Sequence, residues 1–346
     1  MLSFSALLDR PIKKHFKLQH KTSNQTFMET IDSTRQNYKL GFHGKGSEFF
    51  SIIIVNWLLT IVTLGLYYPW AKANQLKYLY GETSLDGDRF AFHGTGKEMF
   101  KGFIKAILIF LTLYGLLFLF LYLQMPLVGI LVFYLGILAI VPLAIHGSYR
   151  YRMSRTSWRG IRFGYRGNRS ELVKNFLGWI LLTLVTLGIY GPWFVINLRK
   201  YVVGNVRFGD AEFEYDGDGS DYFMINLKGY FLTIITFGIY MFWWQKELFE
   251  YYIDNLTLNK NGQQIQFQSQ VTGGGFFQLM VVNFLIIVFT LGLGYAWVVT
   301  RSLNYFSENI DLEGTLDLNT LMQTEENYKD ATGEDMGDML DIDFVM

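Results

Sequence analysis

The sequence contains no cysteine and little charge. None of its 346 residues is Cys, and Asp, Glu, Lys and Arg together make up 17%. The absence of Cys excludes disulfides, thiolate metal sites, Cys nucleophiles and iron–sulfur clusters, and it says nothing about the compartment. Soluble domains carry about a quarter charged residues. The low charge therefore argues against an ordinary soluble enzyme.

The two ends of the chain are polar. Residues 1–37 are basic and lack the apolar run of a cleavable signal, so we expect a polar tail and no cleaved secretory signal. Residues 319–346 are rich in Asp and Glu, a composition typical of solvated, disordered segments. Between these tails, the sequence predicts a membrane domain over residues 38–318.

Long apolar runs occupy this middle part, and 51% of all residues are apolar. A helix needs about 20 residues to cross a hydrocarbon layer of roughly 30 Å. Six stretches meet that length, approximately 50–69, 103–123, 126–146, 175–196, 222–244 and 276–299. The sequence therefore predicts an all-α polytopic membrane protein of about six transmembrane helices, with short β-strand segments between repeated units.

The chain repeats itself. A Thr-Leu-Gly-aliphatic-Tyr signature occurs at residues 63–67 and 186–190, and in altered form at 236–240 and 290–295. The regular spacing around this signature predicts four units. A related fifth unit lies between the first two and carries 23 additional residues, enough for about one more crossing. The predicted bounds of the five units are 38–89, 90–160, 161–212, 213–264 and 265–318.

Each unit is expected to begin with a short strand, because apolar residues alternate with others there. The alternating segments are 90–92, 161–165, 213–215, 265–267 and 316–318. A Gly-rich turn, a membrane helix broken near its Gly-Pro end and a polar amphipathic helix should follow each strand.

Two membrane topologies are open at this stage. In the first, each run crosses the bilayer once. In the second, each short unit dips into the membrane and returns to the same side. Charge does not decide between them, because simple crossings place 14 Lys and Arg on the side of the N-terminus and 16 on the other side. The charge is nevertheless uneven along the chain, since residues 1–174 hold 22 Lys and Arg against 9 Asp and Glu, while the remainder holds 8 against 21.

The motifs that could carry chemistry favour structural interpretations. Gly94–Lys97 lacks the first glycine of a phosphate loop, and His43 and His93 have no accompanying metal ligands. The recurrent acids fit helix N-termini; they are Glu48, Glu98, Glu171 and Asp221. We expect no enzyme activity, no catalytic, cofactor-binding or metal-binding residues, and no nucleic-acid partner.

Polar residues inside the apolar runs are the best candidates for a binding cavity. These candidates are Asn56, Lys228 and Asn283. The alternatives are hydrogen bonds between helices for the asparagines and extension of the Lys228 ammonium to the membrane interface, which is favoured for that residue. Repeated membrane units often frame a site near the bilayer midplane, so we expect a protein that binds or moves a small solute or a lipid. The alternative is a structural or interaction protein whose Gly-turn and strand modules dock a partner. Its expected environment is the lipid bilayer in either case.

One motif combination resembles a known family. The pattern Phe-x-Phe-x-Gly-x-Gly-x-Glu, an apolar helix and Thr-Leu-Gly-aliphatic-Tyr-x-Pro-Trp resembles the YjgN-like family of bacterial inner-membrane proteins of unknown function, over roughly residues 38–318. The resemblance implies a multi-pass protein of the bacterial inner membrane and no catalytic residues. The later units lack the Pro-Trp pair, which favours a structural role for the motif. Its residues are Gly65, Tyr67, Pro69, Trp70, Gly188, Tyr190, Pro192, Trp193, Gly238, Tyr240 and Trp243.

Overall fold

The structure is a computed structural model, and it describes residues 35–324. The predicted basic tail lies outside the described residues apart from its last positions. The acidic tail also lies outside them beyond residue 324. The account below concerns the described part of the chain.

Ten strands form a closed antiparallel barrel. They are β1 (Gln36–Phe42), β2 (Thr83–Leu85), β3 (Asp88–Phe92), β4 (Thr156–Trp158), β5 (Ile161–Tyr165), β6 (Val206–Phe208), β7 (Ala211–Tyr215), β8 (Leu256–Lys260), β9 (Gln263–Ser269) and β10 (Ile310–Gly314). Each strand pairs with its neighbours in the sequence. The barrel closes where β1 pairs with β10, with Tyr38 opposite Leu312.

The strand sequences alternate as a half-buried sheet requires. In β9, Ile265 is fully buried and Phe267 half-buried, while the alternate glutamines at 264, 266 and 268 are exposed. The alternation correctly predicted β3, β5, β7 and β9. It was wrong at residues 316–318, because β10 ends at Gly314 and this later segment lies across the barrel.

The strands form five consecutive pairs, from β1–β2 to β9–β10, and two helices lie in the sequence between the strands of each pair. The helices are α1 (Gly46–Val62), α2 (Tyr68–Glu82), α3 (Gly96–Tyr122), α4 (Pro126–Ser154), α5 (Arg169–Val185), α6 (Gly191–Gly204), α7 (Gly219–Ile235), α8 (Met241–Asp254), α9 (Gly273–Phe289) and α10 (Tyr295–Glu308). Consecutive helices pack together, and α10 packs against α1. The ten helices thus form a closed ring.

All five helical hairpins leave the barrel from the same end. In each case two neighbouring antiparallel strands are joined by the hairpin at one end, as at Phe42 opposite Thr83. Tight turns join the strands at the other end, as between Leu85 and Asp88. We call these the helix end and the turn end of the barrel.

The expectation of an all-α protein with about six transmembrane helices is wrong. The described residues contain a ten-stranded barrel, and only α3 and α4 are long and apolar enough to cross a membrane. The other four runs do not continue as one helix, because each contains a reversal at the Thr-Leu-Gly signature. The chain turns back at Leu64 and Gly65, whose φ angles are 50° and 92°.

A short segment after β10 closes the turn end of the barrel. Leu316 and Leu318 are buried in the main core. The hydroxyl of Tyr38 donates to the carbonyl of Leu316 at 3.1 Å and accepts the N–H of Leu318 at 3.0 Å. The segment also reaches the β6–β7 turn, where Asp210 accepts the N–H of Met322 at 3.0 Å. We call residues 315–324 the barrel plug.

Candidate functional site

An apolar cavity of about 740 Å³ runs along the barrel axis. This volume lies within the roughly 300–1,000 Å³ typical of small-molecule sites. Inside the barrel its wall consists of inward-facing strand residues, including a set of aromatic rings. These rings are Phe90, Phe163, Phe208, Phe213 and Phe267. We call this space the axial cavity.

The rings pack against one another and give the wall a defined shape. Phe163 stacks on Phe208 with centroids 4.3 Å apart, and Phe90 lies 6.1 Å from Phe163. Leu318 of the barrel plug contributes the floor. The lower half of the axial cavity is therefore an apolar chamber.

The upper half lies between helices and carries the polar groups. Lys72 and Gln75 of α2, Arg152 of α4 and Ser302 of α10 line it. Arg152 stands four residues before β4, at the mouth of the barrel. Lys72 precedes β2 by about 11 helical residues, which places it about 16 Å from that strand along the helix axis. Two cationic side chains thus face the axial cavity at different heights.

The three polar residues predicted from the sequence do not share this cavity. Asn56 donates to the carbonyl of Ala71 at 3.4 Å, Lys228 pairs with Glu247 at 2.8 Å, and Asn283 donates to Ser302 at 2.9 Å. Each interaction joins the two arms of a single hairpin. Among the described residues that line the axial cavity, none of the three is present.

The cavity residues come from many elements, which is why no sequence pattern revealed them. Lys72 and Gln75 stand three residues apart on a helix whose polarity is visible in the sequence, and that spacing places them on one face. Their position towards the barrel axis depends on how α2 packs in the ring.

The histidines and recurrent acids have hydrogen-bond partners. His43 lies 2.9 Å from Ser84 Oγ, and His93 lies 2.8 Å from Ser157 Oγ. Burial lowers the pKa of His93, and the nearby Arg162, Arg155 and Lys77 lower it further.

The acids lie at helix N-termini, where the helix dipole favours negative charge. Glu98 completes a capping box with Thr95 and pairs with Arg155 at 3.0 Å. Glu48 and Glu171 each accept a hydrogen bond, at 3.3 Å, from the tyrosine 30 residues later.

The repeated Gly, Tyr, Pro and Trp residues shape the hairpins and their junctions. Gly65, Gly188 and Gly238 adopt positive φ at the reversals. Pro69 and Pro192 stand in the first turn of α2 and α6, where Pro needs no N–H partner.

Tyrosine and tryptophan of the motif stack on each other. The ring centroids lie 6.0 Å apart for Tyr67 and Trp70, 6.1 Å for Tyr190 and Trp193, and 6.5 Å for Tyr240 and Trp243.

Comparison with known proteins supports the resemblance seen in the motifs. The family model for DUF898, described as a bacterial protein of unknown function, matches residues 37–218, 210–262 and 244–339. No solved structure matches the chain significantly.

Curated relatives carry one name. Inner membrane protein YjgN of Salmonella typhimurium is 29% identical over 183 residues, which cover 52% of this chain and 45% of that protein. The proteins of that name from Escherichia coli O157:H7 and K12 are 36% identical over 124 residues, or 36% of this chain and 30% of theirs. The chain thus aligns with less than half of each relative's length. The family match covers most of the chain, which therefore belongs to the DUF898 family of YjgN-like bacterial proteins, whose function is unknown.

Proposed function

We propose that this chain is a protein of the bacterial inner membrane that binds an anionic, single-chain lipid in the axial cavity. The observation that carries the proposal is the cavity itself, with an apolar chamber at one end and cationic side chains along the other. An acyl chain suits the chamber, since burial of its methylene groups contributes about 0.8 kcal/mol each. A carboxylate or phosphate suits Lys72 and Arg152.

The inner-membrane assignment rests on the relatives and on two helices. The relatives are named for that membrane, and α3 and α4 have the length and composition of membrane spans. Helices surround the upper half of the axial cavity.

Binding of radiolabelled oleate to the purified full chain in detergent tests the proposal. We expect saturable binding of one oleate per chain. Leu303 lines the cavity in α10, whereas Leu285 is exposed on α9 of the same hairpin. Leu303→Trp should therefore abolish saturable binding, and Leu285→Trp should leave it unchanged.

A second pair of variants tests the charge. Lys72 lines the cavity, and Lys77 of the same helix is exposed outside it. Lys72→Glu should weaken oleate binding by about tenfold, equivalent to about 1.4 kcal/mol, with little effect from Lys77→Glu. Absence of saturable binding, or equal effects within each pair, would refute the lipid-binding function and leave the structural alternative.

A further inference from the structure

Four of the five helical hairpins are short, namely α1–α2, α5–α6, α7–α8 and α9–α10. Every backbone N–H at their tips has an acceptor within the protein, so none is left to bind water. In the first hairpin, the N–H groups from Thr63 to Tyr68 all find acceptors within the turn. The acceptors, in order, are the carbonyls of Leu59, Ile61, Thr60 and Thr63, the hydroxyl of Thr63, and the carbonyl of Gly65. The same six bonds recur at residues 186–191, 236–241 and 290–295. Internal acceptors for every N–H are part of what non-helical backbone requires inside hydrocarbon.

The most exposed side chain at each of these tips is large and apolar. Leu64, Leu187, Phe237 and Leu291 are 94%, 94%, 97% and 92% exposed. Each also has a φ near +50°, a region that L-residues enter at a cost of about 1–3 kcal/mol. A tip in water gains nothing from such a residue, and polar turn residues are usual there. A tip in hydrocarbon gains from its transfer out of water.

The exposed apolar surface behind the tips that follow α5 and α9 has the depth of about one leaflet. It runs from Leu177 to Val185 on α5 and from Phe277 to Phe289 on α9. At 1.5 Å per residue, these stretches measure about 12 and 18 Å. Half of a hydrocarbon layer of roughly 30 Å is about 15 Å.

The remaining hairpin differs in length and in the residue at its tip. Its arms, α3 and α4, have 27 and 29 residues, against 17 and 15 for α1 and α2. The extra 10 and 14 residues extend the arms by about 15 and 21 Å, or about one more leaflet. The position with positive φ is Gln124, a polar residue where the short hairpins carry Leu or Phe.

We infer that the helix end of the barrel faces the membrane, that the four short hairpins reach only its middle, and that α3 and α4 alone among the described helices cross it. The tips at Leu64, Leu187, Phe237 and Leu291 then lie among acyl-chain ends, and Gln124 reaches the opposite headgroups. The barrel and both ends of the described chain stay on one side. This placement holds whether or not the axial cavity binds a lipid.

Single cysteines test the placement directly, since the chain has no Cys. The variants are Leu64→Cys, Leu187→Cys, Leu291→Cys, Gln124→Cys and Gln263→Cys, the last at an exposed position of the turn end. Sealed inner-membrane vesicles of both orientations are treated with a membrane-impermeant maleimide. We expect labelling at positions 124 and 263 from opposite faces, and no labelling at 64, 187 or 291 from either face.

A depth measurement separates burial in lipid from burial in misfolded protein. Spin labels are attached at positions 64, 187 and 291 in detergent, and the protein is placed in vesicles of phosphatidylethanolamine and phosphatidylglycerol. The collision rates of the spin labels with oxygen should exceed their collision rates with a water-soluble nickel complex, as expected for positions near the bilayer centre. Maleimide access at any of the three tips, or labelling of positions 124 and 263 from the same face, would overturn the inference. Oleate binding does not enter either readout, so failure of one proposal is distinguishable from failure of the other.

Discussion

Trp297 in the last helix packs against Gly46, the first residue of the first helix. A Cβ atom added at Gly46 would lie 2.4 Å from Cδ1 of Trp297. The same contact joins successive units at Trp70 and Gly96 and at Trp193 and Gly219. The Trp of the repeated motif therefore bridges adjacent hairpins. The contact at Trp297 closes the ring.

Gly46→Ala should destabilise the protein by about 1–3 kcal/mol, as overpacking of a well-packed contact does. The melting temperature in detergent, followed by tryptophan fluorescence, measures the effect. Gly178→Ala is the control, since nothing lies within 4 Å of a Cβ there, and Ala suits a helix interior better than Gly. An equal or smaller loss for Gly46→Ala would contradict the proposed role of the contact.

Much of the local structure could be predicted from the sequence, but not the direction of the chain. The alternation around Phe163 and Ile265 predicted strands correctly. The break of the helix near Gly65 was predicted correctly. The sequence left open whether the chain crosses the bilayer or returns to the same side after the break, because an apolar run has the same composition in either direction. The reversal depends on the positive φ of Leu64, and leucine carries no sequence signal for that conformation.

The barrel and its cavity depend on contacts between distant segments. Strands of three residues, such as Thr83–Leu85, are too short to be recognised alone. Closure pairs β1 with β10 across almost the whole described chain. The described parts of the basic and acidic halves, residues 35–174 and 175–324, consequently lie side by side around one ring, a relationship that charge counts could not reveal.

Thr63 provides a test of the self-contained hairpin tips. Its hydroxyl accepts the N–H of Tyr67 at 2.9 Å and donates to the carbonyl of Leu59 at 2.7 Å. Thr63→Val keeps the shape and removes the acceptor, which should destabilise the protein by about 1–3 kcal/mol.

Thr63→Ser keeps the hydroxyl and is the matched control. Unfolding of both variants in lipid–detergent mixtures, compared with the parent chain, gives the two free energies. Equal free energies of unfolding for Thr63→Val and Thr63→Ser would show that the hydrogen bond from the Tyr67 N–H to the Thr63 hydroxyl does not stabilise the hairpin tip.

The pKa of His93 predicts a loss of stability in mild acid. Burial, followed by the charges of Arg162, Arg155 and Lys77, lowers this pKa below its ordinary value of 6.5. A base with a depressed pKa in the folded state binds protons more readily when unfolded. Its neutral form therefore stabilises the fold fully above pH 6.5, and this stability is lost as the pH falls below 6.5 towards the folded-state pKa.

His93→Gln should flatten the dependence of the melting temperature on pH between about 7.5 and 5.5, because the titrating group is gone. The variant keeps a polar side chain for the contact with Ser157. Ser157→Ala serves as the control for loss of that contact alone. A pH profile for His93→Gln that matches the parent would show that other groups govern acid sensitivity.

Leu318 tests whether the barrel plug is part of the core. Its side chain is 1% exposed and forms the floor of the axial cavity, whereas Met322 in the same segment is 65% exposed. Leu318→Ala should lower the free energy of unfolding by about 2–5 kcal/mol, because it removes buried methyl groups and leaves a void. Met322→Ala should change it by less than about 0.5 kcal/mol, as expected for an exposed position. Urea unfolding of the detergent-solubilised chain measures both. Similar small losses for the two variants would mean that the plug is not packed in the barrel and that the cavity is open at its turn end.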